Sequence, residues 1–258
     1  VFVDLPLARC LERAEGLVGA SFVDARQSTE VEWRELGGAI VNFDGVASPM
    51  TQTFGLGLHG EIDLPAIEEF FNARGADTLH EVSPHAGVEL FAQLTARGYH
   101  PIELSNVLVQ PVRDAEASPQ VRAIDPAVDG EVWIETAIAG WSTDPTTLNF
   151  IRDIAELAIR NRRMTQYLVE HDGQPVATAS LGIEGDVALL AGASTIPEAR
   201  KRGAQAALLS TRLADARRRG CTVAMIVASV GSVSQRNAER EGFRVAYTRT
   251  KWRRPRAS

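Results

Sequence analysis

The 258-residue chain predicts an α/β (α+β) protein with a mixed, mostly antiparallel sheet and flanking helices. Two tight turns, Asp172-Gly173 and Glu184-Gly185-Asp186, divide one stretch into three β-rich runs at about 165–171, 174–183 and 187–195. Asp-Gly suits a hairpin, whose central residues both need positive φ. "CTVAMIVA" (221–228) is a short, wholly apolar strand of the fully buried kind. Segments of helical spacing lie on either side of these strands, which is the third mark of the class.

In order, residues 130–163 read as two helices. "GEVWIETAIAG" sets Val132, Ile134 and Ile138 at near-helical spacing. "DPTTLNFIRDIAELAIRNRR" opens with Asp144 as a cap and Pro145 just inside, with Leu148, Ile151, Ile154 or Ala155, and Ala158 recurring at helical intervals. Three strands follow, then a helix from about Ala204 to Arg218. Leu209, Leu213 and Ala216 form its stripe, and Gly220 stops it. Ser232 and Gln235 make a capping-box pair for a short helix to Arg240. Gly242-Phe243 end that helix, and "RVAYTRTKW" is the closing strand.

A composition of 45% hydrophobic and 23% charged residues is that of a globular chain large enough for a sizeable core. A net charge of -6 argues against a general nucleic-acid or membrane binder. No apolar run approaches the roughly 20 residues of a membrane span. Cys10 and Cys221 alone make neither a disulfide framework nor a metal site, so no metal is expected and the cytoplasm is the expected compartment. The chain starts at Val1 without a methionine, which leaves its true N-terminus and any cleaved signal open.

Against that acidic background, "ASTIPEARKRGAQAALL" (193–209) concentrates Arg200, Lys201 and Arg202 before Gly203 at a helix entrance. Helix N-termini carry unpaired N–H groups and partial positive charge, so anions bind there. Small residues, here Gly203, Ala204 and Ala206, allow a pyrophosphate close backbone approach. Taken alone, the motif reads more readily as a solvated, charged turn.

In its surroundings the stretch resembles the GNAT acetyltransferase superfamily, whose strand, Pro-Glu-x-Arg-x-x-Gly-x-Gly/Ala loop and helix are matched by Pro197, Glu198, Arg200 and Gly203. The preceding three-strand meander and the following helix, buried strand, short helix and Gly-Phe keep the family's order over about 119–252. The resemblance implies a GNAT-like fold that takes acetyl-CoA or another acyl-CoA and acetylates a primary amine, expected to be a small molecule. It places the pantetheine along the strand ending at Ser194, Thr195 and Ile196, and the pyrophosphate on the loop Arg200, Lys201, Arg202, Gly203, Ala204, Gln205 and Ala206. Gln205 stands where the family has a second small residue. Ala238 stands at the family's frequent tyrosine, and Gly231 at its frequent asparagine, which leaves the proton donor to the departing thiolate vacant or moved. Ser234 and Tyr247 are the candidates for that role, with Ser234 also counted among the cofactor contacts. A helix-surface serine and a core tyrosine are their plain readings. No residue recommends itself as general base. His171 is expected to be exposed, and Asp77, His80, Glu81 and His85 to lie at the surface. Trp141 could wall the acceptor pocket, and Asp144 could pair with its amine or serve only as a cap.

The front half offers a fainter copy. "GADTLHEVSPHAGVELFAQLTARGYHPIELSNVLVQ" (75–110) runs Gly, strand, loop, helix, Gly-aromatic, strand, as 220–252 does. "GEIDLPAIEEFFNAR" parallels the long helix, with Asp63 as cap and Pro65 in its first turn. Residues 31–58 could supply meander strands, and 4–20 a helix. Glu61 and Asp63 stand where cations would be wanted, so this copy would repel a pyrophosphate. The expected organisation is a duplicated fold: a degenerate copy at 1–110, a linker at 111–120 and a competent domain at 121–258, as a monomer with pseudo-dimeric halves or a homodimer. A generic α/β domain whose alternation mimics a repeat is the other reading. The other functional readings are an acyl-CoA-binding regulator without turnover and a site for another phosphorylated ligand, such as a nucleotide.

Overall fold

A computed structural model describes residues 2–141 and 145–256. The first part of the chain forms α1 (Leu5–Ala25), β1 (Glu32–Leu36), β2 (Ala39–Phe43), β3 (Gln52–Phe54), α2 (Leu64–Asn72), β4 (Thr78–Val82), α3 (Val88–Ala96) and β5 (His100–Pro111). The second part forms β6 (Val121–Ala123), α4 (Pro126–Trp141), α5 (Pro145–Arg160), β7 (Met164–His171), β8 (Gln174–Glu184), β9 (Val187–Thr195) and α6 (Ala204–Arg218). The chain closes with β10 (Val223–Ser229), α7 (Val233–Arg240) and β11 (Arg244–Arg254). These are the mixed α/β elements and mostly antiparallel strands that the sequence predicts.

The chain packs as two compact units, one of residues up to 110 together with those from 225 onward, the other of 111–224. In the first, the strands lie in the order β1-β2-β3-β4-β11-β5-β10. The hairpin β1–β2 turns on Gly37 and Gly38, both at positive φ, and β2 pairs antiparallel with β3. β3 and β4 run parallel and meet only at Thr53 and His80. β11, the last strand of the chain, pairs antiparallel with β4 on one side and β5 on the other. Its position among strands of the front half has no local signature, because strand pairing over such a separation is set by packing.

The core of this unit is Val41 and Phe43 of β2, Ile67 and Phe71 of α2, Val82 of β4, Leu90 and Leu94 of α3, and Tyr99. His80 belongs to it too. Expected at the surface, it is wholly buried, with neither ring nitrogen hydrogen-bonded, and packs against Tyr99 at 5.0 Å between ring centroids. Burial holds its pKa down to about 3, so it stays neutral. Glu81, also expected outside, is buried in an ion network centred on Arg249, itself 1% exposed. Arg249 contacts Glu12, Glu15 and Glu81, and Lys251 bridges Glu81 to Glu103. Burial raises the Glu12 carboxyl to about 7, against the pull of Arg249. Asp77 pairs with Arg253 as an outer residue, and His85 is half-buried, with a nitrogen on the Val3 carbonyl.

In the second unit, β6, β7, β8 and β9 pair antiparallel in sequence order. The turns at Asp172-Gly173 and Gly185 are as the sequence predicts, with positive φ at all three residues. α4 packs on β8 and β9 through Trp133, Ile134 and Ala137, and the Trp133 indole N–H donates to the Tyr167 carbonyl. Val132, which the spacing places on the apolar stripe, is instead exposed. His171 is half-buried rather than exposed. Asp144 lies outside the described residues.

Candidate functional site

The helix entrance singled out in the sequence lies in the second unit. β9 ends at Thr195, a short 3-10 turn spans Pro197–Ala199, and α6 begins at Ala204. Lys201 takes φ +63 and Gly203 takes φ +85. The left-handed conformation at Gly203 reverses the chain into the helix, and a side chain there would be strained. Beyond its own chain neighbours, no heavy atom lies within 4 Å of the position a Cβ on Gly203 would occupy, and the glycine is exposed. Gly203 is the N-cap, and among the described residues no side chain caps the first turn of α6. The early N–H groups of a helix have no intrahelical acceptor, so here they face outward unsatisfied by side chains. Lys201, Arg202 and Ala206 are exposed beside them, while Ala204 is buried. The entrance therefore combines helix-start backbone donors with exposed positive charge, the features that favour an anion.

The side chains of two loop residues, Arg200 and Gln205, are engaged within the chain. Arg200 donates from Nε to the Thr195 carbonyl and from Nη2 to the Gly140 carbonyl, each at 3.2 Å. Gln205 donates from Nε2 to Thr195 Oγ1 at 2.7 Å. Thr195 is thus held at its carbonyl and its hydroxyl. Its neighbour Ser194 bonds the Ala137 carbonyl at 3.2 Å and Thr178 Oγ1 at 3.0 Å. Both strand-end residues are buried. Ile196 donates its N–H to the Val176 carbonyl at 3.0 Å, which commits one backbone donor at the strand end. Gly140 makes the approach of α4 possible: a Cβ there would stand 2.7 Å from Ser194 Oγ and 2.8 Å from the Thr195 nitrogen. Trp141 follows it, 54% exposed.

Sequence reasoning missed Arg212. It lies on α6, 3% exposed, and donates to the carbonyls of Ser180, Ala191 and Leu208 at 3.1, 3.3 and 3.1 Å. No carboxylate pairs with it among the described residues, and burial lowers its pKa to about 10. Its targets flank the register shift between β8 and β9, where Gly192 takes φ +60. The one available signal was its spacing of four from Leu208 on the helix's buried side.

Ser234 and Tyr247 belong to the first unit. Ser234 is exposed on α7. Ser232 caps that helix by accepting from the Gln235 N–H at 3.1 Å, while Gln235 Oε1 accepts from the Gly231 N–H at 2.7 Å. Tyr247 is buried, its hydroxyl donating to Glu12 at 2.7 Å. Burial and the adjoining carboxylate push its phenol pKa far up, which makes it a poor proton donor to a thiolate. At the front helix entrance, the Asp63 carboxylate accepts the Ala66 N–H at 3.0 Å. Among the described residues no cluster of three or more His, Cys, Asp or Glu could hold a metal, and no helix is long and apolar enough to cross a membrane.

The acetyltransferase (GNAT) family model matches residues 131–243. Among solved structures, a GCN5-related N-acetyltransferase from Kribbella flavida superposes with a TM-score of 0.69 at 19% identity, over 97% of this chain and 96% of that one. A tandem GNAT protein from the clavulanic acid biosynthesis pathway gives 0.58 at 11% identity, over 96% of each chain. A GCN5-related N-acetyltransferase from Sphaerobacter thermophilus gives 0.51 at 17% identity, over 69% of this chain and 59% of the other. No curated protein sequence matches significantly.

Proposed function

We propose that the chain, which carries a GNAT acetyltransferase domain over residues 131–243, transfers an acetyl group from acetyl-CoA to the primary amine of a small molecule. The observation that carries this reading is the uncapped entrance of α6, with Gly203 exposed at φ +85 and two exposed cations beside it. Lys201 and Arg202 supply charge-assisted bonds to a pyrophosphate, and the N–H groups of 203–206 supply the cradle. When bound, acetyl-CoA provides the activated acyl group as a thioester. An amine must arrive neutral to attack it, while a free alkylamine has a pKa near ~10.4, so a base or water must take its proton. Ser234 is the proposed donor to the departing thiolate. Trp141, exposed at the end of α4, is proposed as an apolar wall for the acceptor. The front half is proposed as a diverged copy of the same fold: the order from α1 to β5 repeats that from α5 to β11, without counterparts of β6 and α4, and its helix entrance is closed by Asp63. A cytoplasmic location fits this chemistry.

Thermal unfolding with ligand tests the reading. Acetyl-CoA at ~100 times its dissociation constant should add about 2.7 kcal/mol of stability. Stabilisation by ATP but not by acetyl-CoA would overturn it. Thiol release in the presence of spermidine, tryptamine or glucosamine then tests turnover. A second reading, an acyl-CoA-binding protein without turnover, is favoured by the commitment of Tyr247 to Glu12 and by an alanine at position 238. Tight acetyl-CoA binding with no thiol release on any amine would select it.

A further inference from the structure

We propose that Arg200 is a positioning residue that fastens the end of α4 to the end of β9, rather than a ligand of the cofactor's phosphates. This inference rests on the acyltransferase reading for what it does, but on geometry alone for what it is. The guanidinium reaches two backbone carbonyls of different elements, Thr195 at the end of β9 and Gly140 in the last turn of α4. Those elements touch where Gly140, lacking a Cβ, lies against Ser194 and Thr195. Ser194 Oγ on the Ala137 carbonyl and Gln205 on Thr195 Oγ1 brace the same junction. Helix-terminal carbonyls lack intrahelical donors, so a fixed cation at the C-terminal end of α4 is favourable. Lys201 and Arg202, by contrast, are exposed and left to carry the anion.

The fastening has a direct consequence for specificity. Trp141 directly follows Gly140, so Arg200 sets the placement of the proposed acceptor wall from within the cofactor loop. The planar fork can serve two carbonyls at once, and a lysine ammonium at that position cannot match its geometry.

The experiment compares R200Q, R200K, K201Q and R202Q. Coenzyme A affinity is measured by calorimetry at two salt concentrations, backbone hydrogen exchange by mass spectrometry, and kinetics with the most active amine of spermidine, tryptamine and glucosamine. R200Q is expected to bind coenzyme A within twofold of wild type with unchanged salt dependence. Its exchange over 137–141 should quicken at least tenfold, and KM for the amine should rise at least fivefold while KM for acetyl-CoA holds. R200K should recover part of the amine KM. K201Q and R202Q should each weaken coenzyme A fivefold or more and leave exchange over 137–141 unchanged. The proposal is overturned if R200Q loses coenzyme A affinity as K201Q does, or if exchange over 137–141 is unaltered. Should wild type itself fail to bind coenzyme A, the acyltransferase reading falls, and the exchange data still decide the role of Arg200.

Discussion

The entrances of α2 and α6 occupy like places in the element order and are finished in opposite ways. α2 caps itself: Asp63 places a carboxylate on the Ala66 N–H, so the charge favoured at a helix N-terminus is part of the chain. α6 begins on a glycine that offers no acceptor, and its cations stand outside. The same contrast holds for the ionisable groups of the two units. The first folds Glu12, Glu15 and Glu81 inward around Arg249, whereas the second leaves Lys201 and Arg202 in solvent. A helix end that has found its acceptor within the chain is a stability element. One that has not is free to receive an anion from outside.

Four tests press on this contrast, in descending size. Gly203→Val should lower acetyl-CoA affinity at least 100-fold by calorimetry, because a β-branched side chain fills the open space and cannot hold φ +85 without strain. Next, the buried groups of the first unit set opposed pH dependences. His80, depressed from 6.5 to about 3, stabilises the fold above pH 6.5, and that contribution is lost as pH falls toward 3. Glu12, raised from 4.5 to about 7, gives stability that is full below pH 4.5 and lost as pH rises through 7. In His80→Phe the second effect should stand alone. Stability to urea should then rise by on the order of 1–3 kcal/mol from pH 7.5 to pH 5, and a further Glu12→Gln change should abolish the rise. A flat profile in His80→Phe would show that Glu12 is not the buried acid described above.

Smaller effects follow. Gly203→Asp and Gly203→Asn differ by one charge, and both residues tolerate positive φ better than most. The aspartate, which transplants the front helix's acid, should bind acetyl-CoA about tenfold more weakly than the asparagine, a difference of ~1.4 kcal/mol. Equal affinities would detach the entrance from any anion. Asp63→Ala should cost about 1 kcal/mol in urea unfolding and leave acetyl-CoA affinity unchanged.

Local chemistry made much of this legible. The Asp-Gly turn, the caps at Asp63 and Ser232, and the glycine at the α6 entrance are each fixed by neighbours in sequence, and each lies where the residues predict. The long-range arrangement was not legible. His80 and Glu81 read as surface polar residues because a single strand does not disclose what covers it; α1 supplies Glu12 and Glu15, and β11 supplies Arg249. Nor does Arg200 reveal from its charge that it is turned toward two carbonyls. Its motif position predicts an anion contact, and nothing near it in sequence announces the approach of α4 at Gly140, whose carbonyl its guanidinium meets.

The place of β11 has a consequence for synthesis. Emerging from the ribosome, the front part of the chain contains two strands, β4 and β5, that are to be separated by β11, a strand made long after them. Arg249 must likewise meet Glu12 from 237 positions away. Until β11 is made, Glu12 and Glu15 lack Arg249, and β4 lacks its partner on that side. Completion of the front unit therefore waits on synthesis of β11, and a product stopped short of residue 244 would be left with an unpaired strand and an uncompensated acidic core.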